Sequence, residues 1–203
     1  MVARTGAVSH HEQQVGSCCS HHFVSYWDPA KDLPCVTTTL HHLQTSGWYW
    51  GSISAGEARE VLLTKSEGTF LVRDSSHPRY MLTLSVKTRC GPTSVRIQYS
   101  EGTFWLDSIS SSVPKLQSFP SVLSLIQHYR SPSGTEQDPH PEDKPDPDGG
   151  VPLRLTNPLH KPGVCPSLQH LARLVIHRHS NCSQKLPLPK PLLHYLQEYP
   201  FYI

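Results

Sequence analysis

In the middle of the chain, apolar and polar positions alternate. Across Tyr80–Val86 the residues Tyr80, Leu82, Leu84 and Val86 share one face of an extended segment, and Met81, Thr83 and Ser85 share the other. Ser94–Tyr99 repeats the pattern, with Val95, Ile97 and Tyr99 alternating with Ser94, Arg96 and Gln98. Gly68–Val72, rich in β-formers, runs into Arg73 and a turn-favouring Asp74-Ser75-Ser76, which predicts a strand ending in a cation. Residues 103–107 predict one more strand.

Helical spacing brackets these strands. Asp32–Gln44 carries Leu33, Val36, Leu40 and Leu43 three or four residues apart, with Pro34 suited to a first turn and three consecutive threonines working against the helix. Ser54 and Glu57 fit a capping box ahead of Ala58, Val61 and Leu62. Ser118 and Pro120 open a helix carrying Val122, Leu123, Leu125, Ile126 and Tyr129. Residues 1–30 show no apolar period and read as a disordered tail. Residues 131–152 hold six prolines and six acidic residues with almost nothing to bury, so they read as a linker. Beyond it, 151–159 alternates as an extended segment, and Ser167 caps a helix through Ile176. Leu168, Ala172, Val175 and Ile176 form a stripe on that helix, which Leu171 and Leu174 widen. Leu192, Tyr195, Leu196 and Tyr199 share a face of a second run. So many apolar side chains in so short a unit imply a partner surface.

Composition narrows the function classes. With 203 residues, 19 prolines and 36% hydrophobic content, one ordinary domain plus a smaller unit is expected, not a core through the whole length. A net charge of +2 gives no general attraction to nucleic acid or to an anionic membrane, so any anion recognition has to be local. No stretch approaches the ~20 apolar residues of a membrane span, and no secretion signal stands at the start. Cys18, Cys19, Cys35, Cys90, Cys165 and Cys182 follow no disulfide framework, so a reducing, cytoplasmic setting is expected.

Candidate chemistry gathers at Arg73. Either it caps a strand and points into water, or its planar fork grips an oxyanion with help from the Ser75 and Ser76 hydroxyls; the pentapeptide alone does not choose. Two other groupings are weaker. Cys18, Cys19, His21 and His22 lack the ligand spacing of a structural zinc site, so no metal or cofactor is expected. Cys90 and Arg96 have the spacing of a tyrosine phosphatase loop. Pro92 removes one cradling N–H, no His precedes the Cys, and Arg96 falls in an alternating strand, so catalysis is not expected.

Trp48-Tyr49-Trp50-Gly51, a short helix, GTFLVRDSS over Gly68–Ser76 and then YMLTLSV resemble the Src-homology-2 (SH2) family in order and spacing, over about residues 46–130. The resemblance implies an α+β fold, a central antiparallel sheet flanked by two helices, that binds phosphotyrosine peptides through Arg73. Many SH2 domains carry an arginine where this chain has Ala55, so a second cation has to come from elsewhere. If the polar faces of neighbouring strands align, Thr83 and Arg96 approach Arg73 and Ser75, and with Ser76 these five residues form the expected phosphotyrosine site.

The helix from Pro166 to Ile176, then LPLP and PLLHYL, resembles the SOCS box over about residues 164–203. That implies elongin B/C capture through Leu168, Leu171, Ala172 and Ile176, and cullin-5 capture through Leu186, Pro187, Leu188 and Pro189. Ala172 stands where the family has cysteine, and the lost sulfur contacts cost on the order of 1 kcal/mol. SH2 domain and box in this order resemble the suppressor of cytokine signalling family. GWYWGSI, FLVRDSSHPRY and the YPFYI ending point to its cytokine-inducible SH2-containing branch. The expected organisation is a tail (1–30), a helical extension (31–46), an SH2 domain (47–130), a linker (131–152) and the box (153–203). The expected function is a non-catalytic adaptor that captures tyrosine-phosphorylated cytokine receptors at STAT-docking sites. It would damp JAK-STAT signalling as the substrate receptor of an elongin B/C–cullin-5 ubiquitin ligase. The alternative is a competitor that blocks docking without ubiquitin transfer.

Overall fold

The computed structural model describes residues 28–107, 117–130, 153–180 and 185–203. The N-terminal cysteine–histidine cluster, residues 108–116 and the segment read from sequence as a linker, 131–152, lie outside these residues. In chain order the elements are α1 (Pro29–Ser46), α2 (Ala55–Leu63), β1 (Phe70–Asp74), β2 (Leu82–Thr88), β3 (Gly91–Ser100), β4 (Thr103–Leu106), α3 (Val122–Arg130), α4 (Leu168–His179) and α5 (Lys190–Gln197). Among the described residues no helix is long and apolar enough to cross a membrane.

β1 to β4 form one antiparallel sheet in sequence order. Its register sorts the faces. Phe70 lies opposite Val86 and Val72 opposite Leu84, and these side chains enter a core shared with Leu43 of α1 and with Val122, Leu123, Leu125 and Ile126 of α3. On the other face Leu71 packs with Trp50, and with Ala58 and Leu62 of α2. The capping box forms as read: Ser54 Oγ accepts from the Glu57 N–H at 3.2 Å, and the Ser54 N–H donates to Glu57 Oε2 at 2.9 Å. β2 begins two residues later than the alternation suggests. The Tyr80 N–H donates to His77 O and the Ser75 N–H to Met81 O, so Tyr80 and Met81 belong to the turn.

Two features exceed the sequence expectation. α1 starts at Pro29 rather than Asp32, which leaves Pro34 inside the helix instead of in its first turn. Asp28 caps it with Pro29 at the first helical position, and buried Asp32 joins the Asp28 N–H at 2.7 Å to the Tyr99 hydroxyl of β3 at 2.5 Å. The local cap and the tertiary bond from Tyr99 together hold a first turn that propensity alone would not. The second feature is the C-terminal unit, whose apolar side chains do not all wait for another protein. Leu155, Leu174, Tyr199, Phe201 and Ile203 are buried and continuous with the core under the sheet.

The segment 153–161 makes that junction. The Thr156 N–H donates to Gly68 O at 2.9 Å, the Phe70 N–H to Asn157 O at 3.0 Å and the Leu159 N–H to Phe70 O at 2.7 Å, so it pairs along the free edge of β1. Trp48–Gly51 pairs with the remainder of that edge through Val72 and Asp74. Both additions cover backbone groups that an open edge would leave unpaired. Gly68 has φ +79°, and a Cβ there would lie 2.5 Å from Thr156 Oγ1, so glycine is needed for the close approach.

Candidate functional site

Arg73, Thr83 and Arg96 are directly opposite one another on β1, β2 and β3, so their side chains rise from one face in a single row. Arg73 is only 3% exposed. Its Nε donates to Ser85 Oγ at 3.2 Å and its Nη1 to Asp74 O at 3.0 Å, and among the described residues no carboxylate pairs with it. Burial alone pulls its pKa below the usual arginine value. A desolvated guanidinium held by neutral oxygens keeps an unmet preference for an anion.

The flanking groups differ in how closely they join it. Thr83 is buried between the two arginines. Ser75 Oγ accepts from the His77 N–H at 3.1 Å, which fixes the turn after β1 and leaves its O–H to donate. Ser76 is exposed in the same turn. Arg96 is half exposed, with Nη1 3.7 Å from Asp107 Oδ2 and Cζ 5.3 Å from the centre of the Tyr80 ring. It is therefore in the row but loosely held, with a carboxylate beside it that also accepts from Gln98 Nε2 at 2.5 Å. Asp74 accepts from the Tyr49 hydroxyl; burial first, and then that carboxylate, hold the phenol above its ordinary range.

Two residues escaped the sequence reading. Ser85 orients Arg73, although alternation already put it on the face of Thr83. Arg59 of α2 lines a depression beside the row, one helical turn from Ala55. Cys90 stands exposed in the turn before β3, and Gly91–Arg96 run as a strand. Strand N–H groups point alternately to the two edges and do not converge on an oxyanion as a phosphatase loop requires.

α4 has an unusual distribution of polarity. Its inner face buries His170 and Arg173 with Leu174, while Leu168 is 82% exposed, and Leu171, Ala172 and Val175 face outward beside it. Ile176 is half-buried at the margin. Arg173 donates from Nη2 to His170 Nδ1 at 2.9 Å and from Nη1 to Tyr195 O at 3.1 Å, and it lies against the Tyr195 and Tyr199 rings. Ser167 caps the helix by accepting from the His170 N–H. Ahead of α5, Leu186 and Leu188 are half-buried and Pro187 and Pro189 exposed. An outward stripe at i, i+3, i+4 and i+7 suits a hydrophobic groove.

Comparison with known proteins agrees with both halves. A family model described as SH2 domain matches residues 48–129, and one described as SOCS box matches residues 165–197. The chain is 48% identical over 184 residues to the cytokine-inducible SH2-containing protein of Gallus gallus, covering 86% of this chain and 74% of that one. It is 46% identical over 194 residues to the protein of the same name from Rattus norvegicus, covering 86% and 76%. It is 44% identical over 176 residues to suppressor of cytokine signaling 2 of Homo sapiens, covering 87% and 86%.

Proposed function

The chain belongs to the suppressor of cytokine signalling family, and from that premise we propose that it is a non-catalytic negative regulator of cytokine signalling. Its SH2 domain reads phosphotyrosine on activated cytokine receptors in the cytoplasm. Its SOCS box brings elongins B and C and cullin-5, so that ubiquitin reaches the receptor by proximity. Arg73 enters the phosphate, Ser75, Ser76 and Thr83 supply hydroxyls, and Arg96 supplies the second cation after turning from Asp107. Leu168, Leu171, Ala172 and Ile176 enter elongin C, and Leu186–Pro189 face cullin-5.

The observation that carries this reading is the buried Arg73, whose partners among the described residues are all neutral. Such a charge is costly unless a ligand completes it, and a phosphate of charge about −1.5 to −2 does so with bidentate geometry. Titration calorimetry with a receptor-derived phosphotyrosine peptide tests it. Arg73→Ala is expected to lose about 2–5 kcal/mol of binding. Arg73→Lys, which keeps the charge without the fork, is expected to recover only part. Unchanged affinity in both folded variants would overturn the assignment.

A further inference from the structure

Beside the phosphotyrosine row, between α2 and the first half of β3, lies a depression of about 300 Å³ lined by Ala55, Arg59, Leu62, Ser85, Pro92, Thr93 and Ser94. Its floor is apolar Leu62, fully buried, and its polar groups are one guanidinium and three hydroxyls, with no carboxylate in the lining. Ser85 is 1% exposed and belongs to both places: its hydroxyl accepts from Arg73 Nε at 3.2 Å and meets Ser94 Oγ at 3.0 Å. Among the described residues Arg59 has no ion pair. The short Ala55 side chain leaves the depression open.

We infer that this depression is a second anion subsite, which takes the side-chain carboxylate of an Asp or Glu close to the phosphotyrosine in the same peptide. The inference rests on the phosphotyrosine reading of Arg73. Three features select this occupant. One guanidinium with hydroxyls around it matches a single carboxylate, whose two oxygens accept the Arg59 fork. The accessible apolar groups of the lining, Ala55 and Pro92, receive the methylenes of an acidic side chain. The subsite shares Ser85 with the phosphate row, so at about 3.3–3.6 Å per extended residue a chain anchored on Arg73 reaches it within about one to three residues.

Calorimetry on the full chain tests this with a phosphotyrosine peptide carrying Glu, or Gln in its place, at each of the three positions on either side of the phosphotyrosine. At one position wild type is expected to prefer Glu over Gln by about three- to fivefold, the range of a partly exposed ion pair. Arg59→Gln is expected to erase that preference while binding the Gln peptide as wild type does, with an unchanged thermal midpoint because Arg59 is exposed. The inference falls if no position shows a preference, or if the preference survives in Arg59→Gln. It also falls if the variant weakens the Glu and Gln peptides equally, which would put Arg59 on the phosphate itself. The unphosphorylated peptide separates the two readings. If wild type binds it as tightly as its phosphorylated twin, the phosphotyrosine reading is lost and this one with it; loss of the Glu preference alone removes only the subsite.

Discussion

At the scale of single residues, the two buried arginines, Arg73 and Arg173, meet no carboxylate among the described residues. Arg73 waits on a sheet, and Arg173 lies between two tyrosine rings and a histidine lone pair. The second arrangement makes the junction between the sheet and the box sensitive to acid. Burial holds His42 and His160 below their ordinary 6.5, and burial with Arg173 beside it pushes His170 down to about 4. Unfolded histidine takes its proton near 6.5, so between about 6.5 and 4 the unfolded chain binds more protons than the folded one. The stability from neutral histidines is full above 6.5 and is lost as pH falls through that window. The thermal midpoint is therefore expected to be flat between pH 7 and 8 and to drop between 6.5 and 4, less steeply in His170→Gln. Equal slopes would contradict this origin.

At the scale of elements, α1 behaves as part of the SH2 core although it lies outside the residues that the SH2 model matches. Leu43 is fully buried among Phe70, Val72 and the α3 side chains. Leu43→Ala is expected to cost about 2–5 kcal/mol in denaturant unfolding, as a cavity in a packed core does; a change under about 1 kcal/mol would show α1 to be an appendage. The sequence made the sheet legible because its alternation agrees with its register: parity put Thr83 with Ser85 and Arg96 with Ser94 on one face of each strand, while the register that sets them opposite Arg73 had to be assumed. It made α1 legible only in part. The threonines speak against a helix and Pro34 against one that begins as early as Pro29, and the bond from the Tyr99 hydroxyl to Asp32 that helps to overrule them crosses the fold. Arg59 was hidden because an exposed helical arginine has the same sequence signature whether it lines a depression or points into water.

At the scale of the whole molecule, α4 is divided between an inward face that holds the chain together and an outward face that nothing in the described structure covers. The two faces separate by mutation. Leu168→Asp, on the exposed stripe, is expected to leave the thermal midpoint unchanged while abolishing elongin B/C capture. Leu174→Asp buries a charge in the shared core, and loss of several kcal/mol of stability is expected in chemical denaturation. A large stability loss from Leu168→Asp would mean that the stripe is structural. From sequence the apolar content of the box was plain, but its division was not. Periodicity reports that a helix has an apolar side and cannot report that His170 and Arg173 are the side turned inward.

The proposed function requires one chain to hold a phosphotyrosine and a ligase-recruiting partner at the same time, through separate surfaces. Sedimentation velocity of the full chain mixed with a fluorescent phosphotyrosine peptide and the elongin B/C pair tests that most directly. One complex is expected, which carries the peptide label and both elongins, loses the label in Arg73→Ala, and loses the elongins in Leu168→Asp. Mutually exclusive binding, or a label retained when the tyrosine is unphosphorylated, would contradict it.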